Sequence, residues 1–484
     1  MQSINEIYTT QPRPVRVAQF GEGNFLRAFV DWMIDIANEQ GKFGGNVAII
    51  KPIEYGNLNA FSSQGNVYTV QLRGIVDGKP QVQNRVVRSV GKAIDPFNDP
   101  DAFWALAESP ELRFVVSNTT EAGIEFRADD PRPEQGLSKT FPGKLTQFLL
   151  RRYERFDGAP DKGLIMLPVE LIDRNGDHLR DCVHEYCRAW ALDDAFVRWL
   201  DEACVFTCTL VDRIVTGYPR DDAEAVWAAL GYEDRLITTG EPFALWVIES
   251  SRDISHELPL DRAGLPVIFT RDLTPYKERK VRILNGGHTS SVLAAYLAGC
   301  KTVLDMMSDA QLCAYLERAM LDEMVPCVPL PAEEARAFAL SVLERFRNPY
   351  VKHQLLSISL NSFSKWRARL LNSFRDNMAR GTFPRRIAFS FAAMLAFYVG
   401  QARADGYYGN VNGEEYRILD DERVIEAVSA ACKLTPERYA HEIMTREDFW
   451  GEDLTRYDGF EACVAGDLDR ILSRGVRAAI DALN

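Results

Sequence analysis

The tightest constraint in this chain is a strand that runs straight into glycines and then into a helix. Residues 14–20 read PVRVAQF, a short apolar run, and Gly21-Glu22-Gly23-Asn24 follows with no spacer. Phe25-Leu26-Arg27-Ala28-Phe29-Val30-Asp31-Trp32 then opens a helical pattern. That order presents backbone N–H groups to a pyrophosphate at a helix N-terminus. Glycines let the backbone approach phosphate oxygens with no Cβ between them. Leu26 stands where a GxGxxG fingerprint has its third glycine, so a plain tight turn accounts for the same letters. Phe20, Gly21, Gly23, Asn24 and Phe25 are the candidate cofactor contacts of this segment.

The first half alternates strands with helices. Apolar runs at 46–50, 113–117, 164–169, 205–211 and 266–270 read as strands, and 67–73 and 81–87 flank Asp77-Gly78, a hairpin signal. Strands separated by helices predict an α/β fold with a Rossmann-type, mostly parallel sheet covered on both faces. After about residue 275 the period becomes helical, at 290–298, 309–324, 332–346, 362–375, 386–399, 422–432 and 468–483, and strand signals nearly vanish. At 484 residues two domains are expected. The pattern divides them into a dinucleotide-binding domain, 1–275, and a mainly α-helical substrate and catalytic domain, 276–484.

Two further loops belong to the nucleotide question. Lys51, just after the second strand, stands where an acid would read a ribose 2′-hydroxyl, and a lysine there equally suits a 2′-phosphate. The residues alone leave NAD and NADP both open. The segment 117–123 (SNTTEAG) leaves the carboxyl end of a strand, the edge at which open α/β sheets bind ligands. Thr120 and Glu121 are candidate cofactor contacts there; Thr119 or Thr120 capping a helix, with Glu121 in its first turn, is the other reading.

The net charge of −13 shows no basic excess for nucleic acid. The longest apolar run, 387–399, is too short to span a bilayer and reads as a buried helix. The first residues lack a signal-peptide layout, and none of the nine cysteines forms a CxxC pair. These features point to a cytoplasmic protein with reduced thiols, without membrane or nucleic-acid partners.

The most informative stretch is 280–288, KVRILNGGH. On a helical wheel Lys280, His288 and Asn285 fall at about 0°, 80° and 140°. One face then carries an amine, an imidazole and an amide. Oxidising a secondary alcohol needs a base for its O–H proton, and a lysine with a depressed pKa can take and return it. An asparagine amide can stabilise the alkoxide, and a neutral histidine can bond a hydroxyl. Gly286-Gly287 inside a helix costs about 1 kcal/mol per glycine relative to alanine, which suggests close approach of a ligand or another backbone. Lys277, Arg279, Lys280 and Arg282 also form a basic run that could be a solvated face.

In this order these residues resemble the polyol-specific long-chain dehydrogenase/reductase family, which includes mannitol 2-dehydrogenase and fructuronate reductase. The similar stretches are QFGEGNFLRAFVDW (19–32), RFVVSNTTEAGI (113–124), ELIDRNGD (170–177), TLVDRIVTGYPRD (209–221), PYKERKVRILNGGHT (275–289) and RFRNPYVKHQLLSISLN (345–361). The resemblance implies a Rossmann-type domain, a helical domain and an active site in the cleft between them. It also implies NAD(H)-dependent, metal-independent hydride transfer on an acyclic sugar acid or polyol. It places the acid/base lysine on Lys280, the oxyanion amide on Asn285, substrate contacts on His288 and Asp212, and no metal. Mannitol-type members carry Cys-Asp-Asn where this chain has Val169-Glu170-Leu171, and Asn175 is the candidate for the displaced amide. Thr216 also departs from the Pro or Ser usual after the VDR signature. A sugar-acid carboxylate needs a cationic anchor. Arg369 is the first candidate, with Lys365, Arg367, Lys352 and His353 beside it. A silent dinucleotide-binding sensor on the same fold is the reading from another class.

Overall fold

The computed structural model describes residues 1–119 and 123–483. The chain divides into two compact units, Met1–Gly74 with Pro80–Leu273, and Ile75–Lys79 with Thr274–Asn484.

The strands up to residue 273 are β1 (Val15–Phe20), β2 (Asn46–Ile50), β3 (Tyr68–Val76), β4 (Lys79–Val87), β5 (Val90–Ile94), β6 (Phe114–Ser117), β7 (Ile165–Pro168), β8 (Val205–Phe206), β9 (Cys208–Asp212), β10 (Val215–Gly217), β11 (Thr238–Gly240), β12 (Leu245–Glu249) and β13 (Val267–Thr270). Six of them form a parallel sheet in the order β5-β2-β1-β6-β7-β8. Counted within that sheet the order is 3-2-1-4-5-6, the doubly wound Rossmann arrangement, whose direction of winding reverses between β1 and β6. Both faces are buried, and the period of two sorts the side chains. Val17, Val47, Ile49, Phe114 and Val116 join one core with Phe29, Met33 and Trp246. Ala18, Phe20, Ala48, Ile50 and Val115 join the other with Phe103, Phe141 and Phe148.

The expected strands do not all share this sheet. The hairpin β3–β4 belongs to a four-stranded sheet of order β10-β11-β3-β4. The segment 205–211 breaks at Thr207: β8 completes the parallel sheet, while β9 joins β12 and β13 in a three-stranded sheet. The third Rossmann strand, β5, has no counterpart in the sequence reading. It is an edge strand, VGKAI, whose inner residues are half-buried or exposed, so it lacks an apolar run.

The second unit is built around Arg385–Phe397, buried at every residue from Ile387 to Phe397 and packed on Phe460–Arg474 and Gly286–Leu297. The predicted helix 362–375 is interrupted at Leu370, giving Ser362–Arg369 and Leu371–Ala379, and Gly475 separates Phe460–Arg474 from Val476–Asp481. The unit also contains an antiparallel sheet, β14 (Gly400–Arg403), β15 (Gly406–Val411) and β16 (Glu414–Ile418). It went unread because β14 and β16 are rich in exposed polar residues, with burial confined to Tyr407, Gly409, Tyr416 and Ile418. Among the described residues no helix is long and apolar enough to cross a membrane.

Candidate active site

The glycine turn lies at the carboxyl end of β1, beside the point where the winding reverses. Gly21 has φ +130°, and a Cβ there would sit 2.9 Å from Leu26 Cδ1 and 3.2 Å from the Asn118 carbonyl oxygen, so the fold itself requires this glycine. Gly23 differs. Its backbone is extended (φ −66°), it precedes the helix beginning at Asn24, and a Cβ on it would meet nothing within 4 Å. No protein atom demands a glycine at 23, which leaves approach by a ligand as its use. Leu26, in the third glycine's place, is a core residue at 1% exposure beneath Gly21. Gly21, Glu22 and Gly23 line a cavity of about 540 Å³ with Pro52 and Ile53 beyond β2 and Asn118 and Thr119 beyond β6. Glycines, a helix start and the winding reversal at one cavity fit a dinucleotide.

The other expected contacts differ in kind. Asn24 is exposed at the helix start, its Oδ1 accepting from Arg27 at 2.6 Å, and Phe25 is half-buried, stacked on Phe29 with centroids 5.0 Å apart. Phe20 is fully buried among Phe103, Phe141 and Phe148, and its carbonyl accepts the Asn118 N–H, so its side chain is core and not a cofactor contact. Thr120 and Glu121 lie outside the described residues. The N–H and hydroxyl of Thr119 both donate to Glu170 Oε1, at 3.0 and 3.1 Å, and Ser117 Oγ donates to Oε2. Glu170, at 3% exposure, thus ties the loop after β6 to the one after β7, and burial pushes its pKa up. In the sequence Glu170 stands out only as a departure from the Cys-Asp-Asn motif.

Asn175 proves to be a fold residue. It is 1% exposed, its amide N–H₂ donates to the carbonyls of Pro168, Glu170 and Thr209, and its oxygen accepts from Gly176 and Thr209 N–H. An amide with both ends so engaged has nothing left for a substrate. Asp212 ends β9 and is 6% exposed. Its neighbour Arg213 donates to the carbonyls of Ala28, Pro242 and Phe243 and lies 4.3 Å over the Trp32 ring, holding the VDRI segment to the nucleotide helix. Lys51 is turned inward at 1% exposure, its ammonium bound to Asp95, Glu54 and Gly56, so it presents no charge to a cofactor phosphate.

In the second unit, Lys280–Asn285 forms a π turn between Thr274–Arg279 and Gly286–Leu297. Gly286 N–H donates to the Val281 carbonyl, five residues back. A π turn pairs residue i with i+5, so Asn285 stands one turn above Lys280 instead of about 140° around the helix. Lys280, Asn285 and His288 are each half-buried. The basic run is not a solvated face. Arg279 pairs with Glu334 at 2.6 Å and stacks over Phe338, and Arg282 pairs with Glu278 and Asp376. A Cβ on Gly286 would lie 3.4 Å from Met324 Sδ and Leu370 Cδ2 and 3.6 Å from the Arg369 carbonyl oxygen, and one on Gly287 would lie 3.2 Å from Met320 Sδ, so side chains and a neighbouring backbone both approach here.

His288 stacks on Phe346 at 4.1 Å between centroids and meets His353 edge-on at 5.1 Å. Burial, with His353, Arg369, Arg345 and Lys365 nearby, holds its pKa well below 6.5, so the ring is neutral. Its Nδ1 is buried with no hydrogen-bond partner. Arg369 Nη1 donates to Thr289 Oγ1 at 3.2 Å and Lys365 Nζ to the Ile358 carbonyl at 2.8 Å, whereas Arg367 donates to the Phe449 carbonyl and is exposed. Of the three basic residues on that helix, Lys365 and Arg369 exert charge on His288. Arg345 and Phe346 open RFRNPYVKH, and only the resemblance of that stretch signals them in the sequence. Among the described residues no group of three or more His, Cys, Asp or Glu side chains is placed to hold a metal ion.

Comparison with known proteins follows the same division. Residues 15–262 match the mannitol dehydrogenase Rossmann domain and 272–472 the mannitol dehydrogenase C-terminal domain. Altronate oxidoreductases of Escherichia coli O139:H28 (strain E24377A / ETEC) and O9:H4 (strain HS) are each 44% identical over 475 residues, covering 96% of this chain and of the relative. A substrate-free D-sorbitol dehydrogenase shares the fold at 23% identity and TM-score 0.81, covering 99% of this chain and 97% of that one. The Pseudomonas fluorescens mannitol 2-dehydrogenase, in a ternary complex with NAD and D-mannitol, shares it at 22% identity and TM-score 0.66, over 98% and 95%. With both halves matched, this chain belongs to the mannitol dehydrogenase family.

Proposed function

We propose that this chain is an NAD-dependent oxidoreductase acting on CH–OH groups that reduces D-tagaturonate to D-altronate with NADH, reversibly, in hexuronate catabolism. The altronate oxidoreductase relatives support the substrate. The observation that carries the reading within the chain is the cationic surround of His288, formed by Arg345, Lys365 and Arg369. A neutral polyol has no use for such a surround, whereas a uronate carboxylate does. The nine free thiols fit a reaction set in the cytoplasm.

The glycine turn would hold the nicotinamide cofactor, which would supply hydride to the substrate's carbonyl carbon. In that reduction the C=O π bond breaks, its electron pair goes to oxygen, and Lys280 delivers a proton to that oxygen from its ammonium, leaving a neutral amine; oxidation runs the transfer backwards. Asn285, one turn above in the π turn, donates its amide N–H to the oxygen as negative charge develops. Neutral His288 bonds a substrate hydroxyl without repelling the cations around it. Asp212 is the proposed polar contact of the first unit, Arg369 leads as the carboxylate anchor, and Gly21, Gly23 and Asn24 would hold the pyrophosphate. Lys280→Ala should lower turnover by about 10²–10⁴-fold. The test is NADH oxidation with tagaturonate, fructuronate and fructose, for the unmodified protein and Lys280→Ala. Turnover of fructose but not tagaturonate overturns the substrate, and full activity of Lys280→Ala overturns the mechanism.

A further inference from the structure

Lys51 follows β2, the place at which a doubly wound nucleotide fold reads the ribose 2′ group. An ammonium has three N–H donors. Here it has three acceptors: the Asp95 carboxylate at 2.5 Å, the Glu54 carbonyl at 3.2 Å and the Gly56 carbonyl at 3.1 Å. The Phe97 ring lies 5.6 Å from the nitrogen, and the lysine side chain is 1% exposed. Asp95 follows β5, the strand beside β2, so the ion pair joins the ends of two neighbouring strands. The carbonyls belong to the loop 51–56, whose Pro52 and Ile53 line the cavity opposite the glycine turn. One buried side chain therefore holds that loop folded back on itself and spends its whole donor capacity in doing so.

We propose that Lys51, clamped by Asp95, is a specificity-determining residue: it shapes the loop that receives the adenosine ribose and withholds its own charge, so the cavity accepts a free 2′-hydroxyl and refuses a 2′-phosphate. This rests on the reading of the cavity as the dinucleotide site. A 2′-phosphate at this loop must either draw the ammonium from three buried bonds or stay unpaired, and both are costly. The charged residues that line the cavity are Glu22, Glu125, Arg127 and Lys139. Arg127 is paired with Glu125 at 2.6 Å, and Glu22 adds negative charge to the cavity. The lysine is thus a structural counterpart of the acidic residue other doubly wound folds use, reaching the same preference by enclosing a cation.

The test is titration calorimetry on the full chain with NADH and NADPH, which differ only in the 2′-phosphate. The unmodified protein should bind NADH at least about 50-fold more tightly than NADPH. Lys51→Met and the less buried Asp95→Ala, the latter a safeguard should the first fail to fold, should each weaken NADH at least about fivefold. Neither should weaken NADPH further, and kcat at saturating NADH should hold while KM for NADH rises. A lysine that reads the phosphate predicts the reverse, loss of NADPH with NADH untouched, and that pattern overturns the proposal. So does equal affinity of the unmodified protein for the two nucleotides, or wild-type NADH affinity in both variants. If the unmodified protein binds neither NADH nor NADPH, the cavity reading itself fails, and this inference with it.

Discussion

The imidazole of His288 lies against the ring of Phe346, with centroids 4.1 Å apart and planes 25° from parallel. The contact covers one face of a ring that burial, and then its basic neighbours, already bias towards neutrality. Phe346→Ala admits water to that face and lets the pKa of His288 rise towards 6.5. The variant should lose about tenfold in kcat/KM below pH 6.5, where the exposed ring takes a proton, and much less above pH 8. A pH–rate profile parallel to that of the unmodified enzyme would show that the stacking does not govern the histidine's charge.

The same depression has a stability consequence with a defined sign. A histidine whose folded pKa lies below its unfolded value of 6.5 binds protons more readily when unfolded, so its contribution is complete above pH 6.5 and is lost as pH falls towards the folded pKa. Replacing His288 with glutamine should therefore flatten the fall in Tm between pH 6.5 and 5, read by thermal melts in matched buffers.

Asp31 runs the other way. It is fully buried, accepts from Tyr68 Oη at 2.6 Å and Gln19 Nε2 at 3.4 Å, and burial raises its pKa to about 7. A raised acid favours the folded state below its unfolded pKa of 3.8, and that support is lost as pH rises through about 7. Asp31→Asn keeps an acceptor for Tyr68 and removes the buried charge. It should raise Tm at pH 8 by at least about 3 °C relative to the unmodified protein, and less at pH 5. A Tm difference independent of pH would mean that Asp31 does not titrate in this range.

Gly21 and Gly23 should separate fold from binding. Gly23→Val meets no protein atom at its Cβ and should leave Tm within about 2 °C while weakening NADH at least tenfold in calorimetry. Gly21→Ala must adopt φ +130° and push against Leu26 and Asn118, at a cost of about 1–3 kcal/mol in stability. Unchanged NADH affinity in Gly23→Val would remove the glycine turn from the cofactor site.

Arg369 and Lys365 bear on substrate choice. A hydrogen bond to a charged group is worth about 1.5–3 kcal/mol, and about 1.4 kcal/mol is one factor of ten. The enzyme should therefore prefer tagaturonate to fructose by at least about tenfold in kcat/KM. Arg369→Leu should erase most of that preference while leaving the pH dependence of the lysine step in place. Retention of the full preference in Arg369→Leu and in Lys365→Met would assign the anchor to another residue, with Arg345 next in line.

The sequence by itself determined the parts whose signal is local. An apolar strand running into Gly21 and Gly23, the alternation of strands and helices before residue 275, and the uninterrupted apolar helix of 387–397 each carry their structure in a short window, because backbone geometry and burial set the period directly. The stretch KVRILNGGH likewise sets an amine, an amide and an imidazole within one short window. What tertiary structure decided was where side-chain polar groups spend their hydrogen bonds. Lys51 reads as a free cation until Asp95, forty-four residues on, closes over it. Asn175 reads as a substrate amide until the carbonyls of Pro168 and Thr209 claim it. Arg367 and Arg369 share a helix, but only the packing directs one towards Phe449 and the other towards Thr289. The π turn that lifts Asn285 above Lys280 lies beyond a uniform helical wheel, since the extra residue in that turn depends on how the helix is packed. Propensity and period act over a few residues, whereas the partners of a buried charge come from strands and loops distant in sequence.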